Sequence, residues 1–195
     1  MATRLLPINF CLLFLTALLF MASCMNSAEA SDEFVKASCK TTPYPALCYT
    51  SLSNYASSIK TSQRLLVKTA LKVTLDAGRN TSSFLVKLSG NEKTRKSKTG
   101  PVGDCVELLR NVVDEISKSV KEMDRIKDNR DIRFRISNVQ TWVSAAMTDE
   151  NTCTEGMTGK TVSAKVKRMV TEKMEVLEEQ TSNALCLVNS YASHH

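Results

Sequence analysis

Cysteine is the reactive side chain whose number and spacing stand out in this 195-residue sequence. Of the seven present, Cys39, Cys48, Cys105, Cys153 and Cys186 lie beyond the first thirty residues. None belongs to a Cys-x-x-Cys pair, and the only histidines, His194 and His195, occupy the last two positions. Metal ligation of the zinc type is therefore disfavoured. The shortage of histidine also bears on catalysis. Activating a serine needs a positioned base, and neither an internal histidine nor a Gly-x-Ser-x-Gly elbow is present. Carboxylate pairs occur on any acidic helix and do not by themselves make a cleft. No catalytic, cofactor-binding or metal-binding residue is expected. The chemistry left is thiol oxidation.

Whether thiols pair depends on the compartment. Arg4 precedes a short apolar run from Phe10 to Ala22, and Ala28-Glu29-Ala30 gives a small-x-small pattern. These are the parts of a secretory signal, so residues 1–30 are expected to be removed and Ser31 to His195 to form one domain. The apolar run is too short to span a bilayer, and no later stretch of about 18 apolar residues follows. Membrane attachment after cleavage is therefore not expected. Cys11 and Cys24 leave with the signal, and the remaining five are disulfide candidates in an oxidising compartment. Two bridges among five cysteines can be drawn fifteen ways, and spacing alone does not choose. The formal charge of +6 favours weak association with polyanions. For a secreted chain, acidic polysaccharide fits that role better than nucleic acid. Asn80-Thr81-Ser82 is a glycosylation acceptor sequence, which makes Asn80 a candidate glycan site.

The elements that must position these residues read as helices. Only six glycines and four prolines interrupt long stretches of 3.6-residue periodicity, and no alternating strand pattern is evident. Val162, Val166, Val170, Met174, Leu177, Thr181, Ala184 and Val188 form one stripe near the C-terminus. Cys105, Leu109, Val112, Ile116, Val120, Met123 and Ile126 form a second, opening after Pro101 with Asp104 as a possible cap. Ile132, Ile136, Val139, Val143 and Ala146 form a third, with Asp131 as N-cap candidate. The earliest runs from about Ser62 to Leu88 through Leu66, Ala70, Val73, Ala77 and Phe84, weakened but not ended at Gly78. Four helices with one apolar face each predict an antiparallel up-down-up-down four-helix bundle over 61–195. The basic segment Gly90 to Gly100 and a short turn at Asp128-Asn129-Arg130 serve as connections.

Ahead of the bundle, residues 31–60 predict a short helical hairpin: one helix over Asp32 to Ser38 and another over Ala46 to Ser57. Pro43 and Pro45 bias their predecessors away from helix and turn the chain between them. Cys39 and Cys48 face each other across that turn, and a bond between them would close a short loop.

On the second bundle helix, Glu107, Asn111 and Asp114 recur on the side away from the apolar stripe, and the row continues through Lys118, Lys121 and Arg125. Acids near the start and bases near the end complement the helix dipole. By itself the row reads as a solvated face.

Four segments resemble the plant invertase/pectin methylesterase inhibitor family. They are Cys39-Lys40-Thr41-Thr42-Pro43-Tyr44-Pro45-Ala46-Leu47-Cys48, Asp104-Cys105-Val106-Glu107-Leu108-Leu109, the run from Val139 through Trp142 to Cys153, and Asn183-Ala184-Leu185-Cys186-Leu187. The resemblance implies a disulfide-closed hairpin (Cys39–Cys48), a second bridge (Cys105–Cys153) and a free Cys186, either covered by the hairpin or exposed. It implies a non-catalytic protein that lies across an enzyme's substrate cleft with polar residues of its second and third bundle helices. Matched by distance from the two cysteines, those residues are Glu107, Asn111 and Asp114, with Thr152 and Glu155 from the segment around Cys153. Trp142 is expected in the core or against the hairpin.

The family's targets are pectin methylesterase and acid invertase. The Pro-Lys-Phe tripeptide associated with invertase inhibitors is absent, which favours pectin methylesterase in the apoplast or cell wall. The family domain also precedes the catalytic part of some pectin methylesterases. This chain stops at His195, and a free-standing inhibitor is expected. The basic residues Lys93, Arg95, Lys96 and Lys98 suggest contact with acidic pectin, and a helical signalling protein is the alternative outside inhibition.

Overall fold

A computed structural model describes residues 27–91, 100–127, 130–158 and 162–195. The expected signal before residue 27, the basic residues Lys93, Arg95, Lys96 and Lys98, and the turn residues Asp128 and Asn129 lie outside them. Among the described residues the chain is all-α. Helix α1 covers 27–39. It is followed by α2 (Pro45–Leu52), a 3-10 turn at Ser53–Tyr55 and the single-turn α3 (Ala56–Ile59). The bundle consists of α4 (Gln63–Asn91), α5 (Pro101–Arg125), α6 (Ile132–Gly156) and α7 (Ala164–Ala192). Each long helix packs on its two neighbours: α4 on α5 and α7, and α6 on the same two. The result is an up-down-up-down square with its apolar stripes turned inward.

The stripes on α5 and α6 are buried as expected, from Cys105 to Ile126 and from Ile132 to Ala146. On α7, Val170, Met174, Leu177, Thr181, Ala184 and Val188 are buried, while Val166 and, just ahead of the helix, Val162 pack at the margin of the core. Helix α4 departs from expectation. Leu66 and Ala70 are buried, but Val73, Ala77 and Phe84 sit on the flank. The buried row is Val67, Leu71, Thr74, Gly78, Thr81 and Leu85. Three of those six contribute little hydrophobicity, so an apolar-only pattern selects the neighbouring row. Thr74 is accommodated because its hydroxyl donates to the Ala70 carbonyl at 3.0 Å.

Helix starts also differ in detail. Gly100 is the N-cap of α5, with Pro101 at its first position, and Asp104 lies inside the first turn, where its charge favours the dipole. Asp131 occupies the N-cap of α6 without capping through its side chain. Its carboxylate accepts from Arg135 at 3.3 Å instead. Ser62 and Ser163 serve as side-chain caps, accepting from the amides of Leu65 and Val166.

The second helix of the hairpin is broken by the 3-10 turn at Ser53–Tyr55 rather than continuous to Ser57. Helix α1 begins by residue 27, ahead of the expected Ala30–Ser31 junction, and Ser31 donates to the Ser27 carbonyl at 2.8 Å. Cys39–Cys48 closes the hairpin over a separation of 9 residues. In the chain-entropy picture a loop of that length is worth about 2–3 kcal/mol. Lys60, the only non-glycine residue with positive φ (54°) among those described, ends α3 and turns the chain into α4.

A side chain on the last helix holds the hairpin against the bundle. Asn183 is buried, and its Oδ1 accepts from the Tyr44 amide at 2.9 Å while its Nδ2 donates to the Tyr44 carbonyl at 2.9 Å. Both backbone groups of one turn residue are thus satisfied by one amide. Cys186, half-buried, donates from Sγ to the Thr41 carbonyl at 3.4 Å. The thiol thus lies against the hairpin turn without being fully covered, between the two positions expected for it.

Two stability outcomes follow from this packing. A Cβ on Gly78 would meet Val113 at 3.5 Å and Leu177 and Val112 at 3.9 Å, all ordinary contacts. Gly78→Ala should therefore raise the unfolding free energy by about 0.5–1 kcal/mol in urea titration, and a loss would mean the helices cannot accept one methyl group. Asn183→Ala should lower it by about 1–2 kcal/mol and speed proteolysis around Tyr44. An unchanged cleavage rate there would show that other contacts hold the hairpin.

Candidate functional site

The Cys105–Cys153 bridge joins the first turn of α5 to the last turn of α6, with Cα atoms 4.8 Å apart. Its loop of 48 residues corresponds to about 4 kcal/mol in the chain-entropy picture. It also acts geometrically. Glu107 lies two residues after one cysteine, and Thr152 immediately precedes the other. Beside the bridge, Pro101, Asp104, Leu108, Thr152 and Gly156 line a depression of about 290 Å³.

All five candidate contact residues, Glu107, Asn111, Asp114, Thr152 and Glu155, are solvent-exposed. The α5 acids are held in place by their own helix. Glu107 accepts from Arg110 at 2.5 Å, and Asp114 from Lys118 at 2.6 Å. The Thr152 hydroxyl donates back to the Thr148 carbonyl at 2.7 Å. Glu155 stands in the final turn of α6, where its carbonyl accepts from the Thr158 hydroxyl at 2.8 Å. Trp142 is half-buried and outside the fully buried core, one of the two places expected for it. Asn80 is exposed on α4, within a helix rather than a loop.

Beneath this face lies a set of acids that apolar patterning passes over. Glu150 is fully buried, with Oε1 accepting from the Thr181 hydroxyl at 2.7 Å and Oε2 without a hydrogen-bond partner. Burial pushes its carboxyl up to about 8; the Thr181 hydrogen bond opposes the shift, and Glu178, Glu115 and Asp149 add to it. Glu115 on α5 is also raised, first by desolvation and then by Asp149. Glu178 on α7 accepts from the Thr154 hydroxyl at 2.5 Å. The fold therefore selects the neutral form of Glu150. Its position was legible in principle: it follows Ala146 by four and precedes Cys153 by three, continuing the buried stripe of α6.

The opposite end of the α5–α6 pair carries a buried acid with the reverse character. Glu122 accepts from Arg125 at 2.8 Å, Arg135 at 3.1 Å and Asn138 at 3.3 Å. Burial would raise its carboxyl, but these hydrogen bonds and the two arginine charges hold it below the usual value. The described residues contain no cluster of histidine, cysteine or carboxylate groups suited to a metal ion, and no helix long and apolar enough to cross a membrane.

Comparison with known proteins gives a consistent result. The sequence profile of a family described as plant invertase/pectin methylesterase inhibitor matches residues 33–187. A pectinesterase inhibitor 9 of Arabidopsis thaliana is 40% identical, with 93% of this chain and 91% of the relative covered. A 21 kDa protein of Daucus carota is 38% identical over 92% of this chain and 94% of its own length. Among solved structures, a mutant form of a pectin methylesterase inhibitor from Arabidopsis aligns with a TM-score of 0.60 at 17% identity, over 77% of this chain and 92% of that one. At that identity the structural likeness speaks for the fold.

The buried acids predict the pH dependence of stability. Glu150 has a folded value above its unfolded one, so its contribution is complete below about 4.5 and is lost as pH rises toward about 8. Glu122 acts in the other sense, and its contribution is lost as pH falls through its lowered folded value. Glu150→Gln keeps the acceptor for Thr181 and removes the ionisation. It should flatten the decline between about pH 4.5 and 8, whose slope is at most about 1.4 kcal/mol per pH unit. Parallel stability–pH curves for the two proteins between pH 5 and 8 would refute this assignment.

Proposed function

The chain belongs to the plant invertase/pectin methylesterase inhibitor family, whose domain is a non-enzymatic inhibitor, and from that premise we propose that it inhibits pectin methylesterase by lying across the enzyme's pectin-binding cleft. The supporting observation is an exposed polar row, Glu107–Asn111–Asp114, on the helix that the Cys105–Cys153 bridge ties to the segment carrying exposed Thr152 and Glu155. Helix-borne side chains in a fixed register lose little freedom on binding, and their ion pairs to Arg110 and Lys118 keep the acids extended along the helix.

Inhibition of this kind is occlusion. The bundle fills the groove that would hold polygalacturonate, and no bond is made or broken. Carboxylate and amide groups on α5 pair with polar, basic or aromatic groups that otherwise hold uronic acid, so complementarity supplies both specificity and association rate. The relatives named as pectinesterase inhibitors and the missing Pro-Lys-Phe tripeptide support this target over acid invertase. The reading includes secretion after removal of residues 1–30, action in the cell wall as a 1:1 complex, and a glycan on exposed Asn80.

Assayed side by side against plant pectin methylesterase and acid invertase near pH 5–6, the oxidised domain should inhibit the methylesterase alone. Reversing charge at Glu107 and Asp114 together (Glu107→Lys, Asp114→Lys) should raise the inhibition constant at least about tenfold, about 1.4 kcal/mol, with unfolding unchanged. Selective inhibition of invertase would replace the target. Full potency in the double variant would remove α5 from the contact.

A further inference from the structure

At the end of the bundle remote from the disulfide, Phe134 is the most exposed large apolar side chain among the described residues, at 68%. It lies in the first turn of α6, in the run Arg130-Asp131-Ile132-Arg133-Phe134-Arg135. Burial of Ile132 and Ile136 fixes the rotation of that turn and sends Phe134 outward. Nothing in the fold requires an aromatic ring in water at this position.

Basic residues flank it in the sequence. From Lys121 to Arg135 the chain carries six (Lys121, Arg125, Lys127, Arg130, Arg133 and Arg135) against four acids. Three of the acids are engaged within the fold, and Arg125 and Arg135 with them: Glu122 is buried under Arg125, Arg135 and Asn138, Asp131 pairs with Arg135, and Asp124 pairs with Lys68 on α4. Lys121, Lys127 and Arg133 are exposed. Arg133 donates from Nε to the His195 carbonyl at 2.7 Å, which steadies its side chain. The Glu122 cluster fastens the end of α5 to the start of α6, so the aromatic ring and the bases share a rigid end of the bundle.

We propose that this end is a docking site for a polyuronate chain. The faces of a pyranose ring present C–H groups that complement the negative face of an aromatic ring. The regularly spaced carboxylates of the chain suit guanidinium and ammonium groups on either side of it. A lone charge patch would serve any polyanion; the exposed ring beside it favours one built of sugars. The choice of a uronate polymer rests on the inhibitory function proposed above. The site lies about 27 Å along α5 from Glu107, taking a rise of about 1.5 Å per residue to Arg125. Since methylesterase action leaves anionic pectin, the inhibitor would be retained where its target has already worked.

Binding of the full mature domain to an oligogalacturonate of about twelve units is measured by calorimetry at two salt concentrations. A fully methyl-esterified oligomer, a sulfated dextran and anionic phosphatidylserine vesicles are measured in parallel. The anionic oligogalacturonate should bind, and its methyl ester should not. Phe134→Ala should weaken binding about threefold to tenfold, with Phe134→Trp restoring it. Lys127→Glu with Arg133→Glu should weaken it more than about tenfold and lower the salt dependence. All three variants should inhibit methylesterase as well as the parent. Absence of oligogalacturonate binding, equal affinity in Phe134→Ala, or tighter binding to the sulfated polymer or the vesicles would each overturn the proposal. If the parent bound oligogalacturonate but inhibited no methylesterase, the docking site would stand and only the inhibitory reading would fail.

Discussion

Joining Cys105 to Cys153 decides which residues of α5 and α6 can share a surface. The two helices run in opposite directions, so the start of one and the end of the other must lie side by side, and their Cα atoms are 4.8 Å apart at the bridge. A helix offers a new residue to the same face every three or four positions. Fixing one point of contact therefore fixes the register of Glu107, Asn111 and Asp114 against Thr152 and Glu155. At the far end the Glu122 cluster repeats the constraint with hydrogen bonds from Arg125, Arg135 and Asn138. A helix pair fastened at both ends is a rigid surface, and rigidity is what an occluding inhibitor needs.

The remaining parts serve that pair. Helices α4 and α7 complete the square and bury the apolar stripes of α5 and α6. The hairpin sits over α7 through Asn183 and Cys186, so it braces the bundle from the side of the last helix. Charge is distributed along α5 in the sense its dipole favours, with Glu107 and Asp114 toward the start and Lys121 and Arg125 toward the end. The two halves of that helix therefore offer different chemistry to a partner. Neutral Glu150 in the core ties the fold to acidic conditions, where the cost of burying it is least.

Much of this was legible in the sequence, and where it was not the causes are physical. The stripes of α5, α6 and α7 are rich in branched aliphatic residues, and periodicity alone located them. On α4 the buried row contains Thr74, Gly78 and Thr81, which fill space without contributing much apolar surface. Pattern reading consequently chose the flank. Asp131 stands where a cap belongs, yet its carboxylate is taken by Arg135, a competition that only the folded geometry decides. The disulfide pairing was open among fifteen possibilities and was narrowed only by family resemblance. Glu150 and Glu122 sit on helical stripes and were overlooked because buried acids are rare. The exposed candidates Glu107, Asn111 and Asp114 were placed correctly on an outward face, but exposure alone does not make a surface into an interface.

The most direct test of the central claim is a comparison of backbone hydrogen exchange in the oxidised domain, free and bound to pectin methylesterase. The account predicts added protection in peptides covering 104–118 and 148–157, which contain the α5 row and the end of α6, with α4 and the hairpin unchanged. Protection confined to α4, α7 or the hairpin would contradict it. So would a complex that protects no part of α5.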